Sequence, residues 1–229
     1  MKRIYVSPSD QGKNAYAAGN TTEAIQCRQI ATLLVKALER QGFEAKTNLT
    51  GSMQARVQES DEWGADIHAC IHTNAYDEKP GQKEVSGTRL FCYVLGGEGH
   101  KACKAVMARL APVAPGTSDG ISARPELYEC RAPHAPTVYI EVDFHDVDEV
   151  ALWIIDHKPE IAEAIAHGIC DYFGVAYKAP EQTSAQAPEQ APKDGWFRVQ
   201  IGAYKNRDYA EEALAKAKKA GFSDAFITG

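Results

Sequence analysis

The sequence predicts an α/β fold: a mostly parallel sheet with helices on both faces, followed by a small strand–helix–strand unit. Three observations predict it. Strand-like runs alternate with amphipathic stretches from residue 4 to residue 173, the pattern of a sheet covered on both sides. Two of those runs, centred on Ile71 and Ile140, read as buried strands ending in polar residues. A Pro/Ala/Gln-rich segment at 178–194 then separates this part from a short tail. The expected domains are 1–177, a linker at 178–194, and 195–229.

Residues 4–6 form a first strand, stopped by the turn formers Ser7-Pro8-Ser9-Asp10-Gln11-Gly12. Thr21 or Thr22 caps a helix whose first turn holds Glu23, which suits the positive end of the helix dipole. Ile25, Ile30, Leu33, Leu34, Ala37 and Leu38 continue it at helical spacing, and Gly42 ends it. An edge-type strand at 43–47 and a helix at 53–63 follow.

Residues 66–75, Asp-Ile-His-Ala-Cys-Ile-His-Thr-Asn-Ala, form the central strand. Alternation puts His68, Cys70 and His72 on one face. His72 lies last, where the strand meets a loop and a site can open. His68 reads as its supporting partner, and Cys70 reads as packing, as a buried free cysteine usually does. After a polar loop at 76–86 come a strand at 87–94, a helix at 99–110 and a Pro/Gly-rich connection at 111–125. Residues 136–146 form the last strand, and helices at 147–156 and 159–173 close the domain. Ligands of such sheets bind beyond the carboxyl ends of the strands. Asp10, His72 and Glu141 all fall there.

Composition excludes several classes. With 229 residues and a hydrophobic fraction of 44%, a sizeable core is available. A net charge of −6 argues against nucleic-acid binding. No apolar run approaches the ~18 residues of a membrane span. The apolar burst at residues 4–6 is too short for a signal peptide, so synthesis without export is expected. Six cysteines without a CxxC pair read as reduced thiols.

Four stretches together resemble the zinc-dependent N-acetylmuramoyl-L-alanine amidases of the amidase-3 type: Ile4-Tyr5-Val6-Ser7-Pro8, Glu23 at a helix start, Ile71-His72-Thr73-Asn74-Ala75, and the run from Ala135 to Phe144. Leu127-Tyr128-Glu129-Cys130-Arg131 with Phe144-His145-Asp146 is similar to the branch common in Gram-positive bacteria and their phages. The resemblance covers residues 3–175. It implies a Zn²⁺ cofactor with Glu23 and His72 as two ligands, and Glu141 as the catalytic carboxylate. The family's first ligand, the histidine of an Asp-Pro-Gly-His-Gly-Gly turn, is replaced here. Alignment puts Asp10 at that position, and a carboxylate is an acceptable zinc ligand. A slip of a few residues would offer Gln11, Lys13 or Asn14 instead. Asn74 and Arg131 are the expected substrate contacts, with a surface salt bridge as the other reading of Arg131.

The implied reaction is hydrolysis of the amide between N-acetylmuramic acid and L-alanine in peptidoglycan. A wall-lytic enzyme, endolysin or autolysin, made in the cytoplasm and acting after release, fits this. Two rivals stand beside it: a metal-free peptidoglycan-binding protein, and a zinc peptidase cutting a stem-peptide bond. The tail, from Phe197 to Tyr204 and on through an Ala-rich helix to Phe222, is similar to a SPOR-type glycan-binding repeat of about half the usual length. Such a half unit invites self-association.

Overall fold

The computed structural model describes residues 1–76, 86–180, 207–219, 221–222 and 225–227. They fall into two units, Met1–Pro180 and Glu181–Gly229. In the first unit the order is β1 (Arg3–Pro8), α1 (Glu23–Arg40), β2 (Glu44–Thr47), α2 (Met53–Trp63), β3 (Ile67–Asn74), β4 (Arg89–Cys92), α3 (Glu98–Leu110), β5 (Gly120–Ala123), α4 (Tyr128–Arg131), β6 (Thr137–Phe144), α5 (Asp148–Asp156) and α6 (Lys158–Phe173). In the second unit α7 spans Arg207–Lys219.

The six strands form one sheet in the order β2-β1-β3-β6-β4-β5. β1 pairs in parallel with both β2 and β3, and β3 pairs in parallel with β6. The chain leaves β1 for one side and returns on the other, which makes the carboxyl ends of β1 and β3 the switch point where such sheets hold ligands.

The sheet is mostly parallel, as expected, with one antiparallel pair, β4 with β6. One expectation for this unit is corrected: the connection at 111–125 contains a strand, β5, which pairs in parallel with β4 at the sheet edge. Gly120-Ile121-Ser122-Ala123 has low strand propensity, and its pairing comes from the neighbour rather than from the run itself.

The two faces of the sheet differ. One carries Ile4, Val6, Ile67, Ala69, Ile71, Val138, Ile140 and Val142, buried in a single core with α1, α3, α5 and α6. Gly168 lets α6 approach α3 closely, since a Cβ there would lie 2.4 Å from the Val106 backbone. The other face carries Tyr5, Ser7, His68, Cys70, His72, Thr137, Tyr139 and Glu141, as the strand registers require. Its apolar content is a small cluster of Cys70, Cys130 and Tyr139 with Phe91 and Leu127.

Of the second unit, α7 forms where the Ala-rich pattern predicts a helix. The strand expected near residues 196–204 and most of the linker lie outside the described residues. Residues 225–227, expected as a second strand, carry no strand structure.

Candidate active site

Glu23 reaches the site because the chain turns sharply just before α1. Gly19 (φ 81°) and Asn20 (φ 47°) both take left-handed backbone, and glycine and asparagine tolerate it best. Ala15 and Thr22 bridge across the loop. The Glu23 carboxylate is then buried at the amino end of α1, where the helix dipole favours a negative charge.

Glu23 Oε1 lies 2.9 Å from His72 Nδ1, and Glu23 Oε2 accepts from the Asn14 amide at 2.9 Å. Gln11 Nε2 stands 3.4 Å from Oε1. Burial alone would raise the Glu23 pKa, but hydrogen bonds from His72, Ser9 and Asn14 bring it below its ordinary value.

His72 sits at the end of β3 beside a register shift between β3 and β6. Such a bulge re-aims the side chains next to it. The imidazole stacks on Tyr139 at 4.3 Å between centroids. Its Nε2 is 3.5 Å from Glu129 Oε2, an ion-pair contact too long to satisfy the nitrogen, which has no hydrogen-bond partner. Burial alone would lower the His72 pKa. Glu129 and Glu23, together with the charge of Glu141, instead raise it to about 10. The three carboxyl groups around the ring thus favour its protonated form.

Glu141 is the register partner of His72 on β6. Its Oε2 is buried without a hydrogen-bond partner. Desolvation and the Glu23 charge push its pKa up to about 8, against the opposing pull of His72 and Arg124. A carboxyl whose pKa is brought near neutrality is suited to proton transfer.

Sequence reasoning gave no role to Ser7, Arg56 and Arg124 around these three, and gave Glu129 a place in the resemblance but no settled role. Glu129, on α4, accepts from Ser7 Oγ, lies 3.4 Å from His68 Nε2, and touches His72. Burial would raise its pKa, but His68 and His72 hold it well below the carboxylate range. Ser7 in turn accepts from Arg56 Nε at 2.8 Å. Arg56 is fully buried, which no local sequence pattern marks. Arg124, just past the unpredicted strand β5, is the third missed group.

Three other expected residues make contacts elsewhere. Asp10 Oδ2 accepts from the Met53 backbone N–H at 3.1 Å and lies 3.6 Å from Arg56 Nη2. Its carboxylate thus serves the amino end of α2, and Asp10, Glu23 and His72 do not gather as a metal-holding group. The Asn74 amide oxygen accepts from the Ala75 N–H. Arg131 donates to the Glu126 carbonyl at 2.7 Å and lies over the Tyr128 ring. His145 donates from Nδ1 to the Thr73 carbonyl at 2.8 Å and stacks on Tyr16, which pins the loop after β6.

A catalytic zinc takes three protein ligands. At the position the resemblance implies, Glu23 and His72 supply two, and they are hydrogen-bonded to each other. The residues present fit zinc there at two corners and not at the third.

The fold is an α/β protein with a mixed sheet and a carboxylate–imidazole–carboxyl cluster at its switch point. The chain belongs to the Amidase_3 family, N-acetylmuramoyl-L-alanine amidase, which matches residues 4–171. The SPOR domain family matches residues 177–228, beginning before the short tail read from the sequence and taking in its linker. Among curated proteins no relative matches the chain.

Solved structures share the fold. The catalytic domain of CwlV, an N-acetylmuramoyl-L-alanine amidase from Bacillus (Paenibacillus) polymyxa var. colistinus, superposes with a TM-score of 0.67 at 18% identity, covering 77% of this chain and 100% of that one. AmiC2 of Nostoc punctiforme gives 0.66 at 20% identity, covering 76% and 97%. An N-acetylmuramoyl-L-alanine amidase from Clostridium difficile 630 gives 0.66 at 19%, with the same coverage.

Proposed function

We propose that the chain is a peptidoglycan hydrolase that cuts the amide between N-acetylmuramic acid and L-alanine. It acts as a wall-lytic enzyme after release from the cytoplasm and is held at the wall by its SPOR unit. The observation that carries this reading is the register pairing of Glu141 with His72. That pairing sets a carboxyl of pKa about 8 beside a fixed imidazolium at the sheet's switch point. Family membership supports the substrate class.

The chain's own groups supply two parts of amide hydrolysis. Glu141 in its ionised form takes a proton from the attacking water, and the same carboxyl returns it to the departing amine. The His72 imidazolium, kept charged by Glu23 and Glu129, favours negative charge developing on the carbonyl oxygen. Of the three zinc ligands the resemblance implies, Glu23 and His72 are in place, and neither of these roles is routed through the metal.

A second reading is a wall-binding protein without hydrolase activity. The turn of Asp10 toward Met53 and Arg56 favours it, because that turn leaves the cluster one donor short.

The deciding experiment incubates purified cell wall with the untagged full chain, with and without added zinc. The amidase reading expects new L-alanine amino groups with the glycan left intact. Glu141→Gln should then fold normally, still sediment with wall, and lose about 100-fold or more in rate. Sedimentation without any amine release under either condition establishes the binding reading. A new amino group on another stem residue indicates a peptidase.

A further inference from the structure

Deeper on the same face of β3 lies a set of donors that the proposed chemistry does not use. His68, Cys70 and Glu129 each offer one ligand atom, and these atoms all lie within 4.8 Å of one another. All three side chains are buried. They come from two separate elements, β3 and α4, so the cluster exists only in the folded chain.

The geometry does not suit an ordinary ion pair. His68 Nε2 is 3.4 Å from Glu129 Oε1, and His68 Nδ1 has no partner at all. Good N–H···O bonds span about 2.7–3.2 Å. Neither nitrogen of this fully buried ring is therefore well satisfied, an arrangement folded proteins rarely keep. Two donors sharing a tetrahedral zinc, each about 2.1 Å from the metal, stand about 3.4 Å apart. The separation that is long for a hydrogen bond is the edge of that tetrahedron.

The surroundings hold each donor in place. Ser7 Oγ donates to Glu129 and is itself held by Arg56. The Tyr5 ring lies parallel to His68, with centroids 5.6 Å apart. Cys70 is a free, buried thiol. The second Glu129 oxygen faces His72 Nε2, so whatever fixes Glu129 also fixes His72.

We propose that His68, Cys70 and Glu129 form a metal site for a thiophilic divalent cation, zinc foremost. It lies inside β3 rather than at the Glu23–His72 position, and its role is to lock Glu129 and through it His72. The inference stands independently of whether the chain hydrolyses peptidoglycan.

Cobalt is the diagnostic probe, because a thiolate ligand marks its spectrum, and the Cys70→Ser and Glu23→Gln variants separate this site from the Glu23–His72 position, beside which the Cys27 thiol is buried. Untagged full chain, stripped with chelator and titrated with Co²⁺, should bind one equivalent. It should show the near-ultraviolet thiolate-to-cobalt charge-transfer band and the intense visible bands of a tetrahedral ion. Cys70→Ser should lose the charge-transfer band and weaken zinc binding by about 100-fold or more. Glu23→Gln should keep the band. Should Cys70→Ser fail to fold, X-ray absorption of the zinc-loaded wild type should show one sulfur ligand, with zinc protecting Cys70 from alkylation. Absence of cobalt binding overturns the proposal. So does bound cobalt without a sulfur band, or a band that survives loss of the Cys70 thiol.

Discussion

The two faces of this sheet solve the same burial problem by different physics. On the α1/α3/α6 side, aliphatic strand residues meet aliphatic helix residues, and stability is a sum of many small, interchangeable contacts. On the α2/α4 side, the same strands present Ser7, His68, His72 and Glu141, and a buried chain runs from Arg56 through Ser7 to Glu129 and on to both histidines. There each group is affordable only while its partner is present. The apolar face makes the fold tolerant of sequence change, whereas the polar face makes the site dependent on single side chains.

Glu129→Ala is the sharpest way to break that contrast, and it carries the largest expected effect. It would leave His68, His72 and the Ser7–Arg56 pair without their central carboxylate. Breaking a buried ion network by removing one partner costs about 3–5 kcal/mol. Urea denaturation of chelator-treated protein checks this, and a cost near that of a surface substitution would mean the network is loosely hydrated. Combining it with Arg56→Met should be clearly non-additive, because the two residues share Ser7.

The same contrast explains what could be read from the sequence. The apolar face was legible because its signal is periodic. Ile30, Leu34, Ala37 and Leu38 repeat at helical spacing, and the strand centres at Ile71 and Ile140 announce themselves. His72, Glu23 and Glu141 were legible through the resemblance and through their position at strand ends. Glu129 and Ser7 were not, because their partnership spans 122 positions and follows from no local pattern. Asp10 shows the reverse failure. Alignment assigned it to the cluster, but a free helix N-terminus and a buried guanidinium competed for its carboxylate and won. Strand β5 was missed because Gly120-Ile121-Ser122-Ala123 owes its conformation to pairing with β4.

Gly168→Ala probes the apolar face. The added Cβ would meet the Val106 backbone at 2.4 Å and the Ala105 carbonyl oxygen at 2.9 Å, and neither can move as a side-chain tip would. The expected response is a small separation of α3 and α6, costing about 1–3 kcal/mol. A thermal or urea midpoint measures it. An unchanged midpoint would show that the two helices slide freely, contrary to a close-packed core.

The smallest effect separates the faces by pH rather than by size. The Glu141 pKa is raised from 4.5 to about 8, so the folded state holds a proton that the unfolded chain releases in that interval. Its contribution to stability is full below about 4.5 and is lost as pH rises through about 8. His72, raised from 6.5 to about 10, has the same sign over its own window. Glu23 and Glu129, both lowered, lose their contribution only as pH falls below the ordinary carboxylate value. Between about pH 6.5 and about pH 8 the first two windows overlap, and metal-free protein should lose stability most steeply there. Glu141→Gln removes one of the two protons and should roughly halve that slope. Gly168→Ala should lower the whole curve without changing that slope. A parallel shift in both variants would mean that Glu141 is solvated in the folded state and that the polar face is not the dry cluster its unpartnered oxygen implies.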